Sequence, residues 1–469
     1  MLNDADDAFL ARLLDGLPPD TLRADTAPWL TEPRGRWHGR GVVLSPRTTS
    51  EVAAIVRACA EARVPVVPYG GGTGLVGGQL AEDGPVPVVL SLDRMTRIGP
   101  VDRREPVLEV EAGAILADIK ARAAEAGLLF PLSLGSQGTA RIGGLLATNA
   151  GGVNVLRYGN ARAQCLGLEV VTATGEVWDG RSRLMKDNTG YDLRDLYIGS
   201  EGTLGIITGA TLRLWPRPQA TGTALIQVAS PEAALDLLAL LRDAVGEAVS
   251  AFELIHRQGF DFLEETGIAH ARPLDPVPDW CVLTEVGLSG GGDPAAVLEE
   301  VFARGAEAEL CEDGTIARSE AQAAELWHIR EAIPEANRKI GSVSSHDISV
   351  PVARVPEFIA RAPAVLEPIG RYRINCFGHL GDGNLHWNVF PMPGETRADH
   401  ENRRDAIKRA VHDLVHEMGG SVSAEHGIGR LKVEDLERYA GPVKLGLLRA
   451  IKSALDPAGI MNPGAVLRA

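Results

Sequence analysis

The sequence lacks the features that mark several large classes of protein. No apolar run reaches the roughly 18 residues that a membrane-spanning helix needs, so no transmembrane segment is expected. The N-terminal residues are acidic, whereas a secretory signal begins basic and continues apolar, and the expected location is therefore the cytoplasm. Basic residues are in deficit, 47 against 62 acidic, and the formal net charge of −15 argues against nucleic acid or anionic lipid as a partner.

Cysteine is scarce and scattered. The five cysteines show no CxxC spacing, and their odd number argues against a disulfide framework. The same dispersion argues against an iron–sulfur cluster or a cysteine-ligated zinc site. Because the net charge is negative, an anionic ligand would need a local arginine or a metal. Such a metal would be held by residues other than cysteine.

Glycine, by contrast, is abundant. The chain has 53 glycines in 469 residues, clustered in motifs, which indicates close approach of the backbone to a ligand or turns with positive φ. Hydrophobic residues make up 45% and charged residues 23%, as in ordinary globular proteins. The length favours two domains.

Local patterns divide the chain further. Residues 50–63 have apolar residues at helical spacing after a serine that we expect to cap the helix. The overall fold class that we expect is α+β, and predicted strands and helices continue to Pro216-Arg217-Pro218, a linker candidate because prolines there stop a strand. We expect an N-terminal helical segment at 1–37, a ligand-binding domain at 38–217 and an α+β domain at 218–469, without internal repeats.

Three glycine-rich segments lie in the first of these domains, at residues 69–78, 135–152 and 198–207. The first follows a predicted strand but does not have the G-x-G-x-x-G spacing of a dinucleotide fingerprint. Consecutive glycines let several backbone N–H groups converge on an anion such as a pyrophosphate, although such runs also occur in ordinary turns. Three separate segments suit a long, extended ligand better than a mononucleotide.

In this order and spacing, the three segments resemble the FAD-binding domain of the vanillyl-alcohol oxidase, or PCMH-type, flavoprotein family. The resemblance covers residues 38–217 and implies a two-part PCMH-type FAD-binding domain, an α+β substrate domain and a C-terminal segment that returns to the flavin. Some members bind FAD covalently through a histidine of the first glycine loop, where this chain has Thr73, so we expect non-covalent FAD. The implied cofactor-binding residues are Pro68, Gly70, Gly71, Gly72, Thr73, Gly74, Leu75, Pro131, Gly135, Ser136, Gly138, Thr139, Gly143, Gly144, Asn149, Gly152, Glu201, Gly202, Gly205, Ile206 and Asn462.

A predicted hairpin in the second domain carries two histidines. Asp382-Gly383 between two apolar runs predicts a two-residue turn, which would pair His379 with His386. Asn384 and Asn388 would lie on the same face. Paired imidazoles can share a metal ion, although histidines also serve as hydrogen-bonded core residues. Glu425, in a glycine-bounded loop, would complete a two-histidine, one-carboxylate set that is typical of catalytic zinc.

The hairpin and the Glu425-His426-Gly427 motif resemble the D-2-hydroxyglutarate and D-lactate dehydrogenase branch of that family. The resemblance implies His379, His386 and Glu425 as metal ligands bordering the substrate. It implies His426 as the base beside the flavin, and Asn388 and Arg330 as substrate contacts. The expected enzyme is an FAD-dependent dehydrogenase that converts a D-2-hydroxy acid to the 2-oxo acid.

Two positions depart from the hydroxyglutarate pattern. Pro334 and Ser345 stand where the resemblance leads us to expect a threonine and a lysine that hold a second carboxylate. D-Lactate or another 2-hydroxy acid therefore stays open as the substrate. An electron-transfer flavoprotein, quinone or cytochrome is the expected acceptor, since no second dinucleotide fingerprint points to NAD. The alternatives are an oxidase using O₂, a flavoprotein subunit of a glycolate-oxidising complex and, more remotely, a metal-dependent hydrolase; a homodimer is left open.

Overall fold

The computed structural model describes residues 1–33, 35 and 37–468, which form two compact units. Unit 1 contains residues 1–152 and 159–216 and the chain from Glu425 onward, and unit 2 contains residues 153–158 and 217–424. Arg34 and Arg36 of the predicted N-terminal segment, and Ala469 of the predicted second domain, lie outside the described residues.

The first half of the chain supplies most of unit 1. Its elements, with α6 belonging to unit 2, are α1 (Asp7–Leu14), α2 (Ala27–Leu30), β1 (Val42–Leu44), α3 (Thr49–Ala62), β2 (Val66–Tyr69), β3 (Val88–Ser91), β4 (Val107–Glu111), α4 (Leu116–Glu125), β5 (Leu128–Leu129), α5 (Ile142–Ala147), α6 (Val155–Tyr158), β6 (Cys165–Thr172), β7 (Val177–Gly180), α7 (Leu193–Tyr197), β8 (Gly205–Arg213) and β9 (Trp215–Pro216).

Unit 1 contains a parallel sheet of order β1-β3-β2 and an antiparallel sheet of order β4-β8-β6-β7. Helix α3 buries the apolar stripe that its sequence predicts, including Val52, Ile55 and Val56, in the core beside the parallel strands. Its cap is Thr48, whose side chain accepts from the N–H of Glu51, so the predicted serine cap is two residues too late.

The remaining elements begin in unit 2 and end in unit 1. They are β10 (Ala220–Val228), α8 (Pro231–Val245), β11 (Val249–His256), α9 (Arg257–Glu265), β12 (Trp280–Leu288), α10 (Pro294–Glu307), β13 (Cys311–Ile316), α11 (Glu320–Ile340), β14 (Ser344–Ser349), α12 (Val355–Arg361), β15 (Arg373–His379), β16 (Asn384–Phe390) and α13 (Arg404–Glu417) in unit 2, then α14 (Val433–Tyr439) and α15 (Pro442–Leu455) in unit 1.

One antiparallel sheet organises unit 2, with strand order β13-β10-β12-β11-β15-β16-β14. Leu225 and Ile255 pack in the core that α9 and α11 complete, whereas Gly222 lies against Pro294 and Leu298 of α10. Because successive strand residues point to opposite faces, helices cover both faces of this sheet.

The histidine hairpin differs from its prediction in register. His386 pairs with Phe377, and His379 pairs with Glu253 of β11. The two-residue turn is absent because residues 380–382 form a 3₁₀ turn that ends at Gly383, which has a φ of 81°. The pairing therefore slips by two residues, and a slip of two keeps both histidines on the same face of the sheet.

Candidate active site

A cleft with a cavity volume of about 140 Å³ lies in unit 1. It is built at the end of β2, where the chain turns into the first glycine segment, and the other two segments complete it. Its lining comprises Pro68, Tyr69, Gly70, Gly71, Gly72, Thr73, Gly74, Val76, Gly78, Gln79, Leu92, Ala112, Arg141, Gly143, Gly144, Leu145, Ala147, Thr148, Ser200, Glu201, Gly202, Gly205, Ile206, Ile207 and His426.

Glycine is needed in this lining because the segments approach one another closely. A Cβ on Gly70 would lie 3.2 Å from the Cα of Gly144, and one on Gly143 would lie 2.6 Å from the Cβ of Ala112. A Cβ on Gly71 would overlap the carbonyl oxygen of Thr139. The glycine spacing in the sequence thus reflects loop-to-loop packing as well as access for a ligand.

The first glycine loop also offers hydrogen-bond donors. Within the described residues, the backbone N–H groups of residues 70–74 make no hydrogen bond to a protein acceptor. Residues 70–74 line the cleft, and backbone N–H groups without a protein acceptor can cradle an anion such as the pyrophosphate of a dinucleotide cofactor.

The cleft contains a subset of the residues that the family resemblance implied. Those in its lining are Pro68, Gly70, Gly71, Gly72, Thr73, Gly74, Gly143, Gly144, Glu201, Gly202, Gly205, Ile206 and His426. Those outside its lining are Leu75, Pro131, Gly135, Ser136, Gly138, Thr139, Asn149, Gly152 and Asn462.

Sequence reasoning missed Arg141, a cation in the lining whose guanidinium donates to the carbonyl oxygens of Gly113, at 2.5 Å, and Asp93. The signal available was a single basic residue between the second glycine run and Ile142. A positive charge there suits an anionic ligand.

The loop that carries His426 is fastened by a carboxylate. Both oxygens of Glu201 accept backbone N–H groups, from Ile428 and Gly429, each at 2.7 Å. Burial raises the pKa of Glu201, while these two hydrogen bonds act in the opposite direction. Glu201 itself has a φ of 53°, which is uncommon for a residue with a side chain. The glutamate expected to contact the cofactor therefore also holds the loop beside the cleft.

A second set of contacts ties the same loop to the C-terminal segment. Arg430 donates to the carbonyl oxygen of Gly78 at 2.8 Å and to Oδ1 of Asn462 at 2.8 Å. The amide of Asn462 donates in turn to the carbonyl oxygens of Gly78 and Glu201. Asn462, predicted as a cofactor contact, thus links the first and third glycine segments to the chain's final turn.

In unit 2, the predicted site residues share one face of the sheet. The rings of His379 and His386 have centroids 5.6 Å apart in a T-shaped arrangement, and a nitrogen of each lies within 4.8 Å of the other's. Asn388 follows two residues after His386 on that face, and its amide donates to the carbonyl oxygen of His386 at 3.1 Å. On the neighbouring strand Asp347 pairs with His386.

Glu253 joins two of these residues, and sequence reasoning missed it. Its Oε1 lies 2.5 Å from Nδ1 of His379, and its Oε2 accepts from Nε of Arg330 at 2.8 Å. Burial pushes the pKa of Glu253 upward, but the charges of His379 and Arg330 and their hydrogen bonds outweigh it and lower the pKa to about 2. The available signal was a lone carboxylate inside the apolar strand Ala251–Ile255.

Arg330 lies on α11 with its guanidinium 4.5 Å from the ring centroid of Phe377. Within the part of the chain that the structure describes, Nε is the atom of this guanidinium that makes a hydrogen bond. Its two terminal nitrogens are therefore the ones able to bind an external carboxylate. Pro334 lies one turn further along the helix, and Ser345 pairs with Asn388 across the sheet.

Comparisons with known proteins agree with both halves of this geometry. The model of an FAD binding domain matches residues 41–181, and that of the C-terminal domain of FAD linked oxidases matches residues 217–466, more than half of the chain. The chain belongs to the FAD-linked oxidases. This FAD-linked oxidase is an FAD-dependent oxidoreductase, so the predicted FAD and the predicted oxidoreductase class are confirmed.

Two curated relatives extend over nearly the whole FAD-linked oxidase. D-2-hydroxyglutarate dehydrogenase, mitochondrial, of Bos taurus is 37% identical, covering 99% of this chain and 83% of the relative. D-2-hydroxyglutarate dehydrogenase of Xanthomonas citri pv. viticola is 36% identical, covering 92% of this chain and 90% of the relative. The crystal structure of p-cresol methylhydroxylase has a TM-score of 0.76 at 17% identity, covering 100% of this chain and 99% of that one, which confirms the predicted PCMH-type fold.

The predicted cytoplasmic location is contradicted by the Bos taurus relative, which is named as mitochondrial. The prediction rested on the composition of the N-terminus, and composition is a poor guide because targeting segments are read and removed separately from the fold. Within the described residues, no helix has both the length and the apolar character needed to cross a membrane.

Proposed function

We propose that this FAD-linked oxidase oxidises D-2-hydroxy acids to 2-oxo acids. D-2-Hydroxyglutarate is the first candidate among the substrates. The relatives that carry this activity in their names match over almost the full chain. One observation carries the assignment of the site: a single face of the unit 2 sheet presents two imidazoles, and the guanidinium of Arg330 is hydrogen-bonded to the same carboxylate as His379.

A divalent cation, with zinc as the first choice, would be held by His379 and His386, with Glu425 as the third ligand. The two imidazoles are close enough to share one ion. The other nitrogen of His379 lies on a carboxylate, which is the usual arrangement around a metal-bound histidine. Ala424, the residue before Glu425, donates its N–H to the carbonyl oxygen of Asp347, the residue paired with His386.

The roles of the other residues follow from their chemistry. The terminal nitrogens of Arg330 bind the C1 or the distal carboxylate of the substrate, and the amide of Asn388 contacts its hydroxyl end. His426 accepts the hydroxyl proton at a ring nitrogen, since a histidine can take up a proton near neutral pH. Bound cation would supply the charge that eases this deprotonation, and bound FAD supplies the acceptor for the C2 hydrogen.

FAD is held non-covalently in this proposal. Thr73 lines the cleft at the loop where some relatives place a histidine, and a threonine hydroxyl does not attack the flavin. Acid precipitation should therefore release all of the flavin into the supernatant. The electrons would then pass to an electron-transfer flavoprotein, a quinone or a cytochrome.

A shorter monocarboxylate such as D-lactate is the second candidate substrate. The helix position one turn after Arg330 is occupied by Pro334, which has no side-chain donor, and Ser345 donates or accepts within a hydroxyl pair with Ser342 at 2.7 Å. Neither residue supplies a cation for a second carboxylate. A dicarboxylate would therefore depend on Arg330 alone among these positions.

The test is an anaerobic titration of the purified yellow protein with D-2-hydroxyglutarate, D-lactate, D-malate and their L-forms, followed by the flavin absorbance. We expect D-forms to bleach the flavin, D-2-hydroxyglutarate at the lowest concentration, and prior treatment with EDTA to prevent bleaching without releasing FAD. Rapid recovery of colour on admitting air would indicate an oxidase.

Variants separate the site from general damage. His386→Asn should keep the flavin spectrum and lose the bleaching, whereas His328→Asn, at an exposed position of α11, should behave as wild type. If none of the D-acids reduces the flavin, the proposed substrate class is contradicted. If EDTA leaves the bleaching intact, the proposed cation is contradicted.

A further inference from the structure

Glu253 is an unusual residue for its position. It lies in the middle of β11 between Phe252 and Leu254, and its side chain is fully buried. An ionised carboxylate in such surroundings is costly unless partners compensate it, and replacing it with an apolar residue would be the simpler way to build a core. Its presence in this strand therefore calls for a role beyond packing.

Its two oxygens serve two residues that come from different elements. The register of β11 with β15 places Glu253 directly opposite His379, and Oε1 lies 2.5 Å from Nδ1 of that ring. Oε2 accepts from Nε of Arg330, which reaches the sheet from α11. The three side chains form one buried chain of hydrogen bonds, with His379 and Arg330 at its two ends.

This arrangement determines how both end groups are presented. A carboxylate only accepts, so a neutral His379 must carry its proton on Nδ1, and Nε2 is then the nitrogen with a lone pair. A hydrogen bond to Nε fixes the plane of the guanidinium, and the terminal nitrogens of Arg330 then point along a defined direction. Phe377, beneath the guanidinium, restricts that plane further.

We propose that Glu253 is a positioning residue that sets the tautomer and ring orientation of His379 and the guanidinium plane of Arg330 at the same time. The inference rests on the proposed function, in which His379 binds the cation and Arg330 binds a substrate carboxylate. One buried carboxylate then fixes the relation between the histidine that binds the cation and the arginine that binds a substrate carboxylate. Substitution of Glu253 should weaken cation binding and substrate binding together.

The first test measures zinc affinity by competition with a chromophoric chelator, together with KM and kcat. Glu253→Gln keeps the size of the side chain but replaces one acceptor with a donor, and we expect zinc binding about 10- to 100-fold weaker, with a raised KM. The matched control is Glu285→Gln, a half-buried glutamate on the adjacent strand β12, hydrogen-bonded to Trp327 at 3.1 Å. The control should bind zinc as wild type does.

The second test needs no variant at position 253, which matters because the change Glu253→Gln could itself unfold the chain. Nitrogen-15 spectra of metal-free, histidine-labelled wild type should show His379 protonated at Nδ1, with the signal assigned by its loss in His379→Gln. A neutral ring protonated at Nε2 would overturn the inference.

The outcomes distinguish the inference from the proposed function. If wild type binds zinc and both Glu253→Gln and Glu285→Gln bind it with the same affinity, Glu253 does not have the proposed positioning role. The proposed metal site would be unaffected by that result. Wild type that binds no zinc and ignores chelators would remove the proposed cation, and with it the role assigned to Glu253.

Discussion

The clamp between Glu201 and the loop of His426 can be tested directly by the change Glu201→Gln. The carboxylate accepts the N–H groups of Ile428 and Gly429, each at 2.7 Å. An amide of the same shape has one oxygen, so one N–H keeps an acceptor while the other faces an NH₂ group. The loop should therefore remain in place but open more often.

The size of the effect follows from the bond that is lost. A hydrogen bond to a charged group contributes about 1.5–3 kcal/mol when it is sheltered from water. Losing one should raise the equilibrium for loop opening by about 10- to 100-fold, since 1.4 kcal/mol corresponds to a factor of ten. Because His426 lies on the same loop, kcat should fall by a comparable factor or less.

Hydrogen exchange read by mass spectrometry gives the assay. The peptide spanning residues 425–431 should exchange about 10- to 100-fold faster in Glu201→Gln, while peptides from the core strand β8 keep their rates. Glu125→Gln, at an exposed position of α4, serves as the control. An unchanged rate in the 425–431 peptide, with kcat intact, would refute the view that this carboxylate holds the loop.

Three further predictions concern FAD binding, the pH dependence of stability and the reactivity of the cysteines. Gly71→Ala should weaken FAD binding by about 10- to 100-fold, as overpacking of about 1–3 kcal/mol implies, and this is measured by titrating the apoprotein with FAD. The ring of His256 caps α9 through Nδ1, and burial lowers the pKa of His256 from 6.5. The contribution of this cap to the free energy of unfolding should therefore be complete above pH 6.5 and decline below it by up to about 1 kcal/mol. Melting temperatures measured across this pH range test the decline. The five buried cysteines, with burial raising the pKa of Cys59 and Cys165 to about 12, should not react with a disulfide reagent until the chain unfolds.

Controls for these changes come from the same chain. Gly446→Ala, at a helical position where a Cβ would meet nothing within 4 Å, should bind FAD as wild type does. His256→Asn keeps a capping side chain that does not titrate, so its melting temperature should lack the decline below pH 6.5. If the melting temperatures of wild type and His256→Asn change alike with pH, the role assigned to the His256 cap is wrong. If a thiol of the native protein reacts within minutes, the cysteines are not protected as expected.

The hairpin shows what local sequence rules can and cannot predict. Asp382-Gly383 correctly marked the reversal of the chain, and alternation correctly put His379 and His386 on one face. The register was wrong because the rule for two-residue turns takes no account of neighbouring strands, and here His379 is paired with β11 on the other side. The shared face of the two histidines could be predicted from the sequence, but their pairing partners depended on tertiary structure.

Glu253 illustrates the larger gap. Nothing near it in the sequence announces a function, and its partner His379 is 126 residues away. Only the adjacency of β11 and β15 in the sheet brings them together, and no periodic pattern encodes the order of strands. The glycine segments were easier, because each needs its glycines for local reasons, yet the contact between Gly70 and Gly144 was equally non-local.

The composition of unit 1 has a consequence for how the chain is made. Its parallel strand β2 bonds to the chain near its end, with Val66 bridged to Met461, and roughly 200 residues of unit 2 intervene. At about 5–20 residues per second, a ribosome needs about 10–40 s to synthesise that insertion. Throughout this interval the N-terminal part of unit 1 lacks the segment that pairs with β2, so unit 2 has the opportunity to fold first. We therefore expect chaperones to bind the incomplete N-terminal part of the nascent chain.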